Sequence, residues 1–176
     1  VFMISELAKI FRISLSNGKT IISIEDELKH CKNYMNIQKY RYKERFVTEY
    51  DVSEEIHQFC TVKLIIQPIL ENAIYYGVGN MDADDNPRIL VKGWRTDNDI
   101  YLAVSDNGMG MRQEDVKNIL SDNKKVPKHG SGVGLINVHT RIQLMFGAEY
   151  GLIVESEPDE GTTVTIHLPA IPYTEE

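Results

Sequence analysis

Ser105-Asp106-Asn107-Gly108-Met109-Gly110-Met111 is a polar, double-glycine turn that closes an alternating apolar run. Just upstream, Ile100, Leu102 and Val104 share one face of a predicted strand, because side chains in a strand alternate with period two. The same period brings Asp106 onto that inward face. A carboxylate that ends a core-facing row needs a donor, since burying an unpaired charge is prohibitive. Gly108 and Gly110 remove two β-carbons just beyond it, so that a flat ligand can lie against bare backbone. For Asp-Asn-Gly alone, a hairpin turn with a surface Asp is the plain alternative. The rest of the chain decides against it.

Upstream of this turn, Arg88 to Arg95 and Asp99 to Ser105 alternate as two strands joined by Thr96-Asp97-Asn98, an antiparallel hairpin. In it, Trp94 reads as sheet packing. Val78 to Pro87 is a polar connection whose acids lack the loop spacing of an EF-hand. Before it, Val62 to Gly77 (VKLIIQPILENAIYYG) is the longest apolar helix candidate and a core element. Glu71 and Asn72 stand side by side in it, and polar groups in a buried helix must be bonded to something. Asn72 either bonds a neighbouring loop or offers an amide oxygen to Mg²⁺, a hard cation that prefers oxygen ligands. Pro68 either bends this helix or marks a new helix start.

Downstream, Gln113 to Leu120 reads as a short helix, and Ser121 to Lys128 then loses periodicity. Gly130-Ser131-Gly132-Val133-Gly134-Leu135 runs straight into an amphipathic helix with Ile136, Val138, Ile142 and Met145. A glycine-rich loop that opens a helix presents free N–H groups and the positive end of a helix dipole, which suits phosphate. Neither the Rossmann nor the P-loop pattern is matched. Tyr150 to Ser156 and Thr162 to Leu168 read as closing strands. Thr162 shares parity with Val164, Ile166 and Leu168, so Asp106 and Thr162 are two polar interruptions of core-facing rows. Together they suit the edge of a base, with Asp106 accepting from an exocyclic amine.

Toward the N-terminus, Arg45 to Val52 is strand-like and Ser53 suits a cap. Ser23 suits an N-cap with Asp26 at the reciprocal position, opening a helix to about Glu44 with Ile24, Leu28, Cys31, Met35, Gln38 and Tyr42 on one stripe. Val1 to Ser16 is a broad apolar helix, either a dimerising stem or a plain helical cap. With 176 residues, 42% of them hydrophobic, there is material for one cored domain and an appendage. The net charge of −7 argues against a general nucleic-acid surface. Cys31 and Cys60 are too few and too isolated for a disulfide framework, which fits a reducing cytosol. No apolar run reaches the roughly 20 residues that span a bilayer. Starting at Val1 inside an apolar pattern, the chain reads as a piece of a longer protein.

Taken in order, ENAIYYG, DNGMGM, GSGVGL and GTTVTIHLP resemble the asparagine motif, the two glycine motifs and the terminal Gly-Thr element of the Bergerat ATP-binding fold. Histidine kinases, gyrase, the Hsp90 chaperones and MutL share it. The finer resemblance, carried by IEDELKHCKNYMNIQKYRY, QPILENAIYYG and GLINVHTRIQLMFGAEYGLIVES, is to LytS/YesM-type sensor histidine kinases. It implies an α+β fold, a two-layer sandwich with a mixed, mostly antiparallel sheet under helices. Residues 45–176 would be the ATP-binding catalytic domain and 1–44 a helical stem. The resemblance makes ATP and Mg²⁺ the cofactors. It gives Asn72 to the metal, Asp106 to the adenine amine, Thr162 to the same polar network, and Gly108 and Gly110 to the adenine floor. The phosphate side would be Lys128, Gly130, Gly132, Val133, Gly134 and Leu135, under a lid of about residues 112 to 130. Tyr76, where relatives often carry His, is counted with the nucleotide-contacting positions.

In the ATPase branches an acid four positions before the metal-binding Asn activates water; here that position is Pro68. Glu71 lies about 100° round the helix from Asn72, and the two form the candidate catalytic pair. Phosphoryl transfer to a protein is therefore favoured over hydrolysis, with a nucleotide-binding module without chemistry as a third reading. This class carries its acceptor His in an H-F-x-x-N setting. None of His30, His57, His129, His139 and His167 is followed by Phe, so the acceptor is expected outside these residues. The partners implied are a response-regulator receiver domain and a second copy of the kinase, without nucleic acid or membrane contact by this stretch. A cytoplasmic domain of a membrane-anchored parent is the location implied.

Overall fold

A computed structural model describes residues 20–121 and 131–175. Ile21–Ser23 form a short strand, β1, and Ile24–Arg41 the helix α1. Ser23 caps it as expected, its Oγ accepting from the Asp26 N–H at 3.1 Å, which satisfies a donor that a helix start leaves without an intrahelical partner. Glu25, Asp26 and Glu27 in the first turn and Lys39 and Arg41 in the last suit the helix dipole. The helix stops short of the expected Glu44 because Lys43 and Glu44 take positive φ, 52° and 56°. Ile24, Leu28, Cys31 and Met35 are buried along one stripe. They belong to the same apolar cluster as the sheet, so the core has no break at residue 44.

Five strands make the main sheet: β2 (Val47–Val52), β4 (Arg88–Thr96), β5 (Asp99–Asp106), β6 (Gly151–Glu157) and β7 (Gly161–Pro169). Their order is β2-β4-β5-β7-β6. Only β2 and β4 pair in parallel, and every other neighbour is antiparallel. The remaining strand of the described chain, β3 (Cys60–Val62), pairs with β1 in a small separate sheet. On one face of the main sheet, Ile89, Val91, Ile100, Leu102, Val104, Val164, Ile166 and Leu168 are buried against the helices. On the other face Trp94 stacks on Tyr101 at 5.4 Å and Tyr101 on His167 at 4.8 Å, a cross-strand row that packs the sheet surface. Helices on one face of a mostly antiparallel sheet give the two-layer α+β sandwich.

Two helix expectations need correction. The stretch from Val62 is not one helix: Val62 ends β3, Leu64 turns with φ 59°, and helix α2 runs Ile66–Asn72. Pro68 is the third residue of α2, where its missing N–H costs nothing, so it lies in the first turn of a new helix instead of bending a longer one. The second correction concerns the helix after the glycine run, which spans Ser131–Phe146 with α3 (Gln113–Asn118) before it and is labelled α4. It buries Leu135, Val138 and Ile142, while Met145 is exposed and Ile136 half-buried. The buried spacing of three and four selects Leu135 over its neighbour.

What joins α1 to α2 is a buried carboxylate that the sequence reading passed over. Glu27 has no solvent exposure. Its Oε1 accepts from the N–H groups of Ile65 at 2.8 Å and Ile66 at 3.0 Å, and its Oε2 from Leu64 at 2.8 Å. Burial pushes this carboxyl up from the ordinary range, while the three amides and nearby His30 pull it down. Glu27 thus caps α2 from another helix. One turn on, His30 Nε2 meets Gln67 Oε1 at 2.6 Å, and Gln67 Nε2 donates to Glu71 Oε1 at 2.9 Å.

Candidate nucleotide-binding site

Asp106 sits at the end of β5, in register with Thr162 on β7, as the parity of the two rows requires. Beside them lies a cavity of about 460 Å³ bordered by Asn72, Tyr76, Gly77, Asp106, Gly110, Leu135 and Thr162. Ile69, Val104 and Val164 give it an apolar floor, and Arg112, Asp115 and Ile119 border it from the α3 side. An apolar slot with a few convergent polar groups is what a flat heterocycle needs. The Asp106 carboxylate accepts from the Gly108 N–H at 2.9 Å on Oδ1 and also from the Thr162 N–H. Burial pushes its pKa up to about 6 against the pull of those two amides.

The glycines have a tighter duty than the bare floor expected of them. A β-carbon on Gly77 would lie 2.6 Å from Asp106 Oδ1, and one on Gly108 would collide with the Gly77 backbone. The missing side chain of Gly108 therefore admits another piece of the chain, and Gly108 does not line the cavity whereas Gly110 does. Gly110, at φ 64°, and Gly161, at φ 109°, occupy the left-handed region and press against the Glu157 and Asp106 carbonyls. Motif glycines here lock three segments of backbone around one carboxylate. A π-helical turn, Ala73–Gly77, follows α2 and delivers Gly77 to that contact; such turns often occur at functional sites.

Asn72 borders this cavity and also a second one of about 560 Å³. Its Nδ2 is buried and has no hydrogen-bond partner among the described residues. Among the described residues that amide nitrogen therefore ties down no neighbouring loop. An amide oxygen from Asn72, with the remaining positions supplied by phosphates and water, suits Mg²⁺, which usually binds few protein ligands and substrate phosphates. No cluster of three or more His, Cys, Asp or Glu able to hold a metal occurs among the described residues. The second cavity is walled by Tyr34, Gln38 and Arg41 of α1, by Pro68, Glu71 and Tyr76, and by Gly134. Glu71 is exposed and faces this second space. Tyr76 borders both cavities and packs edge-on to Tyr75 at 4.9 Å.

Of the glycine-run positions, Leu135 reaches the first cavity, Gly134 the second, and Val133 is exposed at the start of α4. Gly132 lies in the first turn of α4. Lys128 and Gly130, with residues 122–130 of the expected lid, lie outside the described residues. Sequence reasoning missed Ser156, whose hydroxyl meets Thr162 Oγ1 at 2.8 Å. A signal was present: Ser156 shares parity with Leu152 and Val154, a third polar interruption at the end of a core-facing row.

Fold and site together define a nucleotide-binding domain of the Bergerat kind. The model of the histidine kinase-, DNA gyrase B- and HSP90-like ATPase family matches residues 61–172, and a histidine kinase family model matches residues 2–46. The chain belongs to the histidine kinase-, DNA gyrase B- and HSP90-like ATPase family. It is 34% identical over 167 residues to the sensor histidine kinase YesM of Bacillus subtilis, covering 95% of this chain and 27% of that one. To the sensor histidine kinase BtsS of Escherichia coli K12 it is 29% identical, with the same two coverages of 95% and 27%. The sensor protein LytS of Staphylococcus saprophyticus is 29% identical over 95% of this chain and 28% of its own length. The chain thus spans little more than a quarter of these relatives. Among solved structures, a mycobacterial sensor histidine kinase, MprB, superposes with a TM-score of 0.62 at 16% identity, over 87% of this chain and 98% of that one. The catalytic domain of histidine kinase ThkA gives 0.66 at 14%, again over 87% and 98%. These likenesses bear on the fold.

Proposed function

We propose that this stretch is the ATP-binding catalytic part of a two-component sensor histidine kinase, passing the γ-phosphate of ATP to a histidine outside residues 1–176. From there the phosphoryl group passes to an Asp on a response-regulator receiver domain. The kinase acts as a dimer, and its parent is anchored in the cell membrane. The observation that carries this reading is the Asp106–Thr162 pair at the end of an apolar cavity, with uncommitted Asn72 on the border of a second cavity. Asp106 accepts from the adenine amine, and the apolar floor takes the ring. Asn72 and the residues from Gly130 to Leu135 hold the phosphate end. Mg²⁺ neutralises the phosphates when bound. The second cavity is the entry for the acceptor imidazole, and Glu71, the carboxylate bordering it, takes the proton that the imidazole loses. Catalysis of this kind is positioning and charge neutralisation more than covalent chemistry.

The ATPase reading is disfavoured by a side chain that cannot activate water. Pro68, four positions before Asn72, borders the second cavity where that branch needs an acid. Incubation of the 1–176 chain with Mg²⁺ and labelled ATP is expected to leave it unlabelled. A longer chain that includes the H-F-x-x-N helix is expected to gain an acid-labile phosphohistidine, lost in Asn72→Ala. Steady phosphate release by residues 1–176, abolished by Asn72→Ala, would replace this reading with the ATPase one. No label and no phosphate from either chain, under the activating signal, would leave only a binding module.

A further inference from the structure

Ser156 is nearly buried, and its one hydroxyl has three neighbours: the Met111 N–H at 2.8 Å, the Gly161 carbonyl at 2.8 Å and Thr162 Oγ1 at 2.8 Å. Hydroxyl arithmetic decides who donates. A serine hydroxyl carries one proton and two acceptor sites. The Met111 amide can only donate, so it fills one acceptor site. The Gly161 carbonyl can only accept, so it takes the serine proton. What remains for Thr162 is the second acceptor site, and the Thr162 hydroxyl must donate to Ser156. The Thr162 proton is thereby turned away from the cavity that Thr162 borders, and only lone pairs of its oxygen are left for a ligand.

We infer that Ser156 is a specificity-determining residue that acts through Thr162, fixing its hydroxyl so that this end of the cavity offers the base acceptors only. Asp106, in register with Thr162, is the other acceptor, and its own two amide donors are already spent on it. A purine with an exocyclic amine brings the donor that such a wall needs. A 6-keto purine brings an acceptor oxygen to the same place and meets no proton there. Rejection of that class rests on unpaired acceptors, a strong form of discrimination because the polar groups of a buried site cannot be left without partners. The Gln113 Nε2 bond to the Ser156 carbonyl at 2.9 Å and the Met111 contact tie the same serine to the segment that leads into α3. Its position is therefore fixed from both sides.

This inference rests on the reading of the cavity as a nucleotide site. The test is calorimetric binding of ADP and IDP, without metal, to the 1–176 chain. IDP differs from ADP in carrying O6 for the amine and a proton on N1 where adenine has a lone pair, and the ratio reads the O6 position. Ser156→Ala frees the Thr162 proton to turn inward and donate to O6, and the ADP:IDP affinity ratio is expected to fall about tenfold, the worth of one hydrogen bond. Ser156→Cys keeps the side-chain shape but accepts weakly, and it is expected to move the ratio in the same direction; it serves if the alanine variant does not fold. In a Thr162→Val background, Ser156→Ala is expected to leave the ratio where Thr162→Val alone sets it. An unchanged ratio in the folded serine variants overturns the inference, as does an equal fall with Thr162 already removed. If wild type binds neither nucleotide, the cavity assignment itself fails, an outcome distinct from binding without the shift.

Discussion

Asp106→Asn is expected to make the protein more stable and the nucleotide site worse. In the folded chain burial raises the Asp106 pKa from 3.8 to about 6. The sign follows from proton counting. Below the unfolded value both states are protonated and the group imposes no penalty. As pH rises toward the folded value, the unfolded chain loses this proton first, so stability falls across roughly pH 4 to 6 and stays low at neutral pH. A shift of this size corresponds to about 3 kcal/mol. Asparagine removes the ionisation and keeps the shape, though its oxygen makes weaker bonds to the Gly108 and Thr162 amides than a carboxylate does. A net gain of about 1–2 kcal/mol at pH 7 is expected, or a few degrees in Tm for a chain of this size. The gain should vanish in melts below about pH 4. Nucleotide binding moves the other way. Loss of a charge-assisted acceptor is expected to weaken ADP by about 1.5–3 kcal/mol, roughly tenfold to a hundredfold. For wild type, ADP affinity is expected to drop as pH falls through about 6, because the ionised carboxylate accepts from the amine more strongly than the protonated acid does. Undiminished ADP affinity in the folded variant would remove Asp106 from base recognition, and a loss of stability would show that its charge supports the fold.

Such opposition between stability and binding explains which parts of the site were legible in the sequence. Asp106 and Thr162 stood out because each breaks an apolar row of period two, and a polar residue on a core row is a local cost that asks for a ligand or a partner. Ser156 breaks a third row by the same rule, but its significance depends on which neighbours share its hydroxyl, and pairing across β6 and β7 is not a local property. Gly77 and Gly108 were visible as motif glycines, yet their reason was not. Gly77 meets Gly108 and Asp106 across about thirty residues of chain, and only the assembled fold shows that a β-carbon on either glycine would strike backbone or carboxylate. The start of α2 was hidden for a related reason. Val62 to Leu70 is apolar except at Lys63 and Gln67, and a run of that kind has no clear period to separate a buried strand from a buried helix. The positive φ at Leu64 and the contribution of Glu27 set the boundary.

Glu27→Ala is expected to be among the most damaging single changes in the described chain. Glu27 looks like an ordinary first-turn acid, well placed for the dipole of its own helix. Its carboxylate instead accepts from three consecutive amides, those of Leu64, Ile65 and Ile66, at the start of α2, with no exposure to water. Alanine leaves those donors without a partner, and a buried unsatisfied group costs about 1–3 kcal/mol. The three share one site and relax together, so a loss of about 3–5 kcal/mol is expected rather than the full sum. That is a large part of the about 5–15 kcal/mol by which domains are stable. Glu27→Gln keeps one acceptor oxygen but sets an amide NH₂ against an N–H donor, and about half the loss is expected. Chemical denaturation of both variants measures this. A second readout separates the clamp from general loosening. Asn72 is the last residue of the seven-residue α2, so a helix released at its start displaces Asn72 at its end. In Glu27→Gln, studied well below its melting temperature, the Mg²⁺-dependent increment in ADP affinity is expected to shrink while metal-free ADP binding at Asp106 stays close to wild type. Equal losses in both would mean that Glu27 holds the domain as a whole. A stability close to wild type for Glu27→Ala would mean that water replaces the carboxylate and that α2 needs no cap from α1.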